Sequence, residues 1–351
     1  MSGDSFIKRL KLLQVIEETE HARTFILEPI DGWQPHYKAG QFITLVFHTP
    51  HGEKRRSYSF TSSPELGEPM SITVKKVENG EFSRPLVYAA KPGDIFYSSG
   101  IAGVFTLPEE QSPELFCFLA AGSGIAPCYA LIKTILAKGS SQVVLFYSNS
   151  SARHAIFYEQ LQQLQANYPE RLKIRFLFSD HADIYYKRLS KWLLDQLLDM
   201  YVPRGSRTLF YLCGPFDYMQ AAEITLRMHA DKEHIIKESF SSLPRLVLPE
   251  PPDKDRHHVT IHIGRHTHEL EVQYPKSILK TAIEKGIELP YSCESGRCSS
   301  CIATCTKGRV WLAYNEVLVD RELEKGRILT CQGFPVGGDA EITFNETGLH
   351  I

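Results

Sequence analysis

Apolar residues fall along the chain in three successive rhythms. Up to about residue 110 they come in short runs rich in β-branched and aromatic residues, broken by Pro and Gly: ARTFILEPI, GQFITLVFH, KRRSYSFTS and PMSITVKKV. Such runs predict an antiparallel β-barrel or sandwich over residues 1–110. From about residue 113, continuous apolar strands alternate with helical stretches. ELFCFLAAG, QVVLFYSNS, KIRFLFSD, RTLFYLCGP and HIIKESF read as buried strands, with IAPCYALIKTIL, HAIFYEQLQQLQANY, LSKWLLDQLLDMY and FDYMQAAEITLRMHA as the helices between them. The alternation predicts an α/β unit with a parallel five-stranded sheet over 111–240, its ligands at the carboxyl ends of the strands. SSLPRLVLPEPPDKDRHH then breaks the pattern, and its proline and charge predict an interdomain linker over 241–256. Beyond it, HVTIHIGRHTHELEV reads as a hairpin, SILKTAIEKG as a short helix and the rest as strands. Residues 257–351 are enough for one small α+β domain.

Composition excludes several functions. A length of 351 residues suits two or three domains. Lys plus Arg number 39 against 41 Asp plus Glu, so the net charge of −2 leaves no basic footprint for nucleic acid. No apolar run approaches the roughly 18 residues that cross a bilayer, so no membrane partner is expected. The start, MSGDSFIKRLKLLQVIEE, has no signal-peptide core. A cytoplasmic location is therefore expected, where thiols stay reduced. The eight cysteines then read as ligands or buried thiols rather than disulfides.

Three of them crowd one segment, YSCESGRCSSC. The spacing is Cys293-x4-Cys298-x2-Cys301, and Cys331 follows after twenty-nine further residues. This is the plant-type spacing for a [2Fe–2S] cluster. Four thiolates must converge on two irons, and bridging sulfides favour backbone N–H donors. A tight loop supplies both, with Gly296 allowing close backbone approach and Ser292, Ser295 and Ser299 too small to crowd the cluster. Zinc is the chemical alternative, but its structural sites usually come as two short Cys pairs. Cys305 lies outside the pattern and reads as a buried strand thiol. LPYSCESGRCSSC and ILTCQ resemble the ligand segments of plant-type ferredoxins, from which Glu294 departs; its negative charge is expected to lower the reduction potential.

RRSYSFTS contains Arg56-Ser57-Tyr58-Ser59, with GQF upstream and VKKVENGEFS downstream. A strand with a buried Tyr and a satisfied Arg is the plainer account of the motif alone. With its flanks, the segment resembles the ferredoxin–NADP reductase superfamily, and that resemblance implies roles in binding a flavin. Arg56 would pair with its phosphates as a bidentate donor, Tyr58 would stack on the isoalloxazine, and Ser59 would donate toward N5, with Ser57 part of the same binding motif. Gly80 and Ser83 would approach the pyrophosphate. Two phosphate-contacting elements favour FAD over FMN.

FLAAGSGIAP follows a buried strand and opens a helix. Gly122 and Gly124 allow a tight turn and close approach of a pyrophosphate to the helix N-terminus, with Pro127 completing G-x-G-x-x-P. In the same superfamily, the match to Cys213-Gly214-Pro215 sits against the nicotinamide. A buried strand thiol is the alternative for Cys213, and it holds if the two turns do not face each other. After the second strand come Ser148, Ser150, Ser151 and Arg153, with no acid before Glu159. An Arg suits the 2′-phosphate of NADP, where NAD sites often use a carboxylate on the 2′-OH. NADPH is favoured, with NADH the alternative. Lys187 and Arg188 in the next loop fit either reading. By resemblance Glu238 sits near the flavin edge and Phe240 shields the ring; an ordinary edge strand is the alternative. His257, His258, His262, His266 and His268 begin in the linker and read as solvated rather than as metal ligands.

The order flavin barrel, nicotinamide domain, β-grasp ferredoxin domain resembles the reductase components of multicomponent oxygenases, those of the phenylacetyl-CoA epoxidase type among them, over essentially the whole chain. The resemblance implies an NAD(P)H-dependent oxidoreductase that passes electrons from NADPH through FAD and a [2Fe–2S] cluster to a protein acceptor, an oxygenase component or a ferredoxin. Ser59, Cys213 and Glu238 would stand at the hydride step, and electrons would leave from the cluster edge near Ser299 and Ser300. The alternatives are a general NADPH reductase of ferredoxin, flavodoxin or quinone, and, from another class, a non-catalytic assembly subunit or zinc-stabilised binding module.

Overall fold

A computed structural model describes residues 7–50, 52–109, 113–183, 187–240 and 249–344. Its first sheet holds β1 (Lys8–Thr19), β2 (Ala22–Pro29), β3 (Phe42–Thr49), β4 (Gly52–Ser59), β5 (Ser71–Lys75) and β6 (Ile95–Ala102), in the order β4-β3-β6-β1-β2-β5. Every pairing is antiparallel. The chain leaving β4 closes the sheet into a barrel: Phe60 bridges Ile72 of β5, and Thr61 N–H donates to Ser71 O at 2.9 Å. Leu10, Phe25, Ile43, Leu45, Phe60 and Ile72 fill the interior. A short helix, α1 (Ser83–Ala89), follows β5.

The second sheet is parallel throughout, β7 (Leu115–Ala121), β8 (Gln142–Asn149), β9 (Leu172–Phe178), β10 (Thr208–Gly214) and β11 (Ile235–Ser239), in the order β11-β10-β7-β8-β9. Its helices are α2 (Ile125–Lys138), α3 (Tyr158–Asn167), α4 (Lys191–Tyr201) and α5 (Phe216–Leu226). Every residue of β7 is buried, as a strand covered on both faces requires. Leu131 and Ile135 of α2 pack with Phe118 and Leu145 on one face, and Leu194, Leu197 and Ala222 with Leu119 and Phe146 on the other. The helix expected from His154 starts only at Tyr158, because Phe157 adopts φ 61°, a left-handed conformation that an α-helix excludes. From β7 the chain runs outward to β8 and β9, then returns to β10 on β7's other side. That reversal opens a crevice at the carboxyl ends of β7 and β10. A separate cleft of about 2020 Å³ lies at the opposite end of this sheet, lined by Arg207, Thr208, His234 and Arg327.

The third unit runs β12 (His257–Ile263), β13 (His266–Val272), α6 (Ile278–Glu284), β14 (Ile302–Lys307), β15 (Val310–Leu312), α7 (Asp320–Glu324), β16 (Arg327–Leu329), β17 (Gly333–Pro335) and β18 (Ala340–Phe344). Its main sheet has the order β13-β12-β18-β14-β16, with β12 parallel to β18 and the other pairs antiparallel. Ser277 caps α6 by accepting from Lys280 N–H, and Ile278, Leu279 and Ala282 close the core.

Of the expected linker, residues 241–248 lie outside the described set. Residues 249–256 are tied to the third unit. The Asp253 carboxylate accepts from Gly337 N–H at 2.6 Å, Asp255 N–H at 2.8 Å and His257 Nε2 at 2.7 Å, and these donors hold its pKa down at about 2, Gly337 foremost. Of the histidines, His258 and His266 are exposed, whereas His257 and His262 are half-buried and paired with carboxylates. His257, His258 and His262 are in β12, and His262 Nε2 lies 2.8 Å from Glu341. Cys305 sits in β14 as expected, but half-buried rather than buried, with its thiol donating to Lys307 O.

Candidate functional site

Along a strand, alternate residues share a face, so in β4 Arg55, Ser57 and Ser59 point one way and Arg56 and Tyr58 the other. The first face meets both other units. Arg55 reaches Leu289 O and Tyr291 O, and Ser57 Oγ lies 2.8 Å from Ser292 Oγ, beside Cys293. Ser59 donates to Glu238 Oε2 at 2.8 Å in a buried contact. On the other face, Arg56 bonds to Arg55 O and sits 5.0 Å from the Phe82 ring. It has no acidic partner among the described residues, which suits a guanidinium meant for phosphate. Tyr58 packs against the barrel core, and burial pushes its hydroxyl pKa up. Ser83 Oγ accepts from Val77 N–H and occupies the space of any Cβ on Gly80, 2.3 Å away. Gly80 and Ser83 therefore shape the turn into α1, and the Ser83 hydroxyl is engaged within that turn.

At the sheet crevice the two expected turns face each other. A Cβ on Gly124 would lie 2.1 Å from Cys213 O, and one on Gly214 3.0 Å from Ala121 Cβ. Gly122 takes φ 55°, and Pro127 is buried in the first turn of α2. Pro215 is exposed and leads into α5. Cys213 is fully buried and pairs in register with Glu238. Burial, and then the nearby Glu238, push its thiol pKa well up. Glu238 is itself raised to about 8 by burial, against the opposing Ser59 hydrogen bond. Ser59, Cys213 and Glu238, drawn from two units, thus meet as a neutral, water-poor group. Phe240, just after β11, is 45% exposed.

Ser150 and Arg153 are exposed after β8, and Arg153 has no acidic partner among the described residues. Ser150 Oγ lies 3.0 Å from His154 Nδ1. Sequence reasoning found no acid here, yet Asp180 arrives from the end of β9, its N–H donating to Ser150 O. It also missed Lys75, whose Nζ lies 3.3 Å from the Cβ position of Gly122; burial lowers its pKa. A half-buried cation over this turn suits a pyrophosphate.

The cysteine loop aims backbone donors at its thiols. Cys293 N–H points at Cys298 Sγ and Ser295 N–H at Cys293 Sγ, each at 3.4 Å. Gly296 takes φ 75°, and a Cβ there would meet Tyr314 O at 2.9 Å. The long gap to Cys331 is closed by pairing: β14 leaves Cys301 and β16 returns antiparallel to it, Ile302 opposite Leu329. The thiols stand as two neighbouring pairs, Cys293 with Cys298 and Cys301 with Cys331. Two thiolates for each of two irons is the demand of a binuclear cluster, not of one zinc ion. Among the described residues no three His, Cys, Asp or Glu side chains are placed to hold a single metal ion. Gln332 Nε2 ties the Cys331 segment to Glu294 O at 3.0 Å. Buried Arg297, 3.0 Å from Glu316, was not anticipated. At the expected exit edge Ser299 and Ser300 are buried, Ser299 at φ 61° with its hydroxyl donating to Cys298 O, and Glu294 is the exposed residue of the loop.

Comparison with known proteins agrees with this architecture. Residues 12–107 match the oxidoreductase FAD-binding domain family, 118–223 the oxidoreductase NAD-binding domain family, and 261–336 the 2Fe-2S iron-sulfur cluster binding domain family. The ferredoxin reductase component of 3-ketosteroid-9-alpha-monooxygenase from Mycolicibacterium smegmatis is 32% identical, covering 97% of this chain and 98% of that relative. A 1,2-phenylacetyl-CoA epoxidase component from Escherichia coli K12 is 29% identical, covering 97% and 98%. Among solved structures, phthalate dioxygenase reductase superposes with a TM-score of 0.60 at 23% identity, covering 96% of this chain and 98% of that one. An intact type IV self-sufficient cytochrome P450 monooxygenase gives 0.73 at 19%, covering 96% and 41%. At such identities these two bear on the fold alone. With three domain families in this order and a full-length relative at 32% identity, the chain belongs to the reductase components of oxygenases that join FAD-binding, NAD-binding and [2Fe–2S] domains in one polypeptide.

Proposed function

We propose that this reductase takes a hydride from NADPH and delivers single electrons through the four-cysteine loop to an oxygenase component. The observation that carries the reading is strand β4, whose one face touches the nucleotide unit through Ser59 and Glu238 and the cysteine loop through Ser57 and Ser292, each at 2.8 Å. Arg56 would hold the flavin phosphates, Tyr58 its ring, and the Gly80–Ser83 turn its pyrophosphate. Gly122, Gly124, Pro127 and Lys75 would receive the nicotinamide dinucleotide, with Cys213, Gly214 and Pro215 behind the nicotinamide and Phe240 over the outer side of the flavin. Cys293, Cys298, Cys301 and Cys331 would ligate the irons. FAD, when bound, supplies the change from a two-electron donor to a one-electron acceptor. The protein's part is orientation and a neutral surrounding: Ser59 offers a hydroxyl, and Glu238 keeps its proton at neutral pH.

Exposed Arg153 beside Ser150 supports NADPH over NADH; Asp180 is the residue that would favour NADH. The oxygenase reductases among the relatives support an oxygenase acceptor over a general ferredoxin, flavodoxin or quinone. At 32% and 29% identity, the ketosteroid monooxygenase and phenylacetyl-CoA epoxidase relatives support their two acceptor types about equally. Eight free cysteines suit a reducing, cytoplasmic setting; no helix among the described residues is long and apolar enough to cross a membrane. The test is Cys298→Ser. Dye reduction by NADPH at the flavin should persist while cytochrome c reduction through the cluster stops. Equal loss of both contradicts the order.

A further inference from the structure

Resting on that reading, we propose that Arg55 is a positioning residue for the electron step between flavin and cluster, clamping the segment that leads into Cys293 onto strand β4. Arg55 is 8% exposed, and a buried guanidinium is costly unless its donors and charge are met. They are met from both sides of a domain junction. Within its own strand, Nε donates to Glu53 Oε1 at 2.6 Å. Across the junction, Nη1 approaches Leu289 O and Tyr291 O at 3.5 Å, and the guanidinium lies 3.8 Å from the centroid of the Tyr291 ring. A guanidinium over a ring face is attracted to it, more strongly when water is excluded.

The next residue on the same face extends the contact. Ser57 Oγ shares a 2.8 Å hydrogen bond with Ser292 Oγ, and Ser292 is bonded to Cys293. A route of covalent bonds and one hydrogen bond thus runs from Tyr58 through Ser57 and Ser292 to Cys293. The third unit's polar ties to the nucleotide unit, among the described residues, are weaker. Arg297 sits 5.9 Å from the Phe216 ring, and Lys232 and Asp320 form an exposed pair at 3.3 Å. Arg55 is the anchor that sets the spacing of the Ser57–Ser292 contact. The step it serves makes and breaks no bond: reduced flavin loses one electron, and one ferric iron becomes ferrous.

The test uses holoprotein carrying Arg55→Ala. Losing a desolvated cation–π contact should shift the docked-to-undocked ratio by about tenfold or more. NADPH-driven dye reduction should be unchanged, while cluster reduction in anaerobic rapid mixing slows by about tenfold. Without any NADPH, amide exchange in residues 54–57 and 289–292 should rise by a similar factor, about tenfold. Arg55→Lys should restore part of both. Tyr291→Leu removes the other half of the contact and decides the matter should Arg55→Ala not retain its cofactors. Wild-type cluster reduction and exchange in both variants would overturn the proposal, as would equal slowing of dye and cluster reduction. Absence of flavin or iron from the wild-type protein would instead defeat the proposed function, so the two failures are distinct.

Discussion

Replacing Gly124 by alanine adds one methyl group at the point where the two nucleotide-binding turns touch. Its Cβ would stand 2.1 Å from Cys213 O, 2.4 Å from Cys213 C and 2.8 Å from Gly214 N, all backbone atoms, where ordinary contact begins near 3.4 Å. The neighbours are not flexible side-chain ends, so the β7 and β10 turns must part by about 1 Å. Gly124 has φ −62° and ψ −11°, a helical conformation that alanine adopts freely. Any loss therefore comes from the overlap, for which overpacking costs of about 1–3 kcal/mol are typical. A misplacement of about 1 Å can cost about a hundredfold in rate. The expected result is a fall of about 10- to 100-fold in kcat/KM for NADPH, carried mainly by KM, with flavin and iron contents unchanged. Steady-state dye reduction and titration with NADP+ read this directly. An unchanged KM with unchanged thermal stability would refute the contact between the turns.

Other outcomes follow from the same geometry. Arg153→Ala should raise KM for NADPH while leaving KM for NADH in place, and Asp180→Ala should ease NADH-to-NADPH discrimination in NADPH's favour; an Arg153 variant affecting both nucleotides equally would remove its link to the 2′-phosphate. Glu238, raised to about 8 from 4.5, keeps in the folded chain a proton that the unfolded chain loses above the lower value. Its share of stability therefore falls as pH rises between about 5 and 8, and Glu238→Gln should flatten the pH dependence of the unfolding temperature across that window. Glu294→Gln removes an exposed charge from the cluster loop and should raise the cluster potential; an unchanged potential would remove that role.

The parts of the molecule most legible in the sequence are those where chemistry dictates spacing. The cysteines read as a loop plus a distant fourth, and the β14–β16 return supplies the rest. The parallel sheet is legible because continuous apolar strands have few other fates. β1 and β6 are not, since β1 mixes charged residues with the exposed Leu13 and Ile16, which blurs its alternation, and β6 carries Gly100 at φ 113°. Ser59 and Glu238 are each nameable, but their meeting across 179 residues is a fact of domain packing that no local pattern encodes. Arg55 is hidden beside Arg56. Strand periodicity sends the two to opposite faces, one for a ligand and one for a neighbour, but does not tell which neighbour. Ser299 and Ser300 are nameable as neighbours of the cluster ligands, but their burial depends on how the loop packs, which spacing does not encode.

The proposed order of electron passage, nucleotide to flavin to cluster, is tested most directly by anaerobic rapid mixing of the holoprotein with one equivalent of NADPH. Flavin absorbance should bleach first, and cluster absorbance should follow at a rate independent of NADPH concentration. Cluster bleaching that precedes the flavin, or that proceeds in protein stripped of flavin, would contradict it.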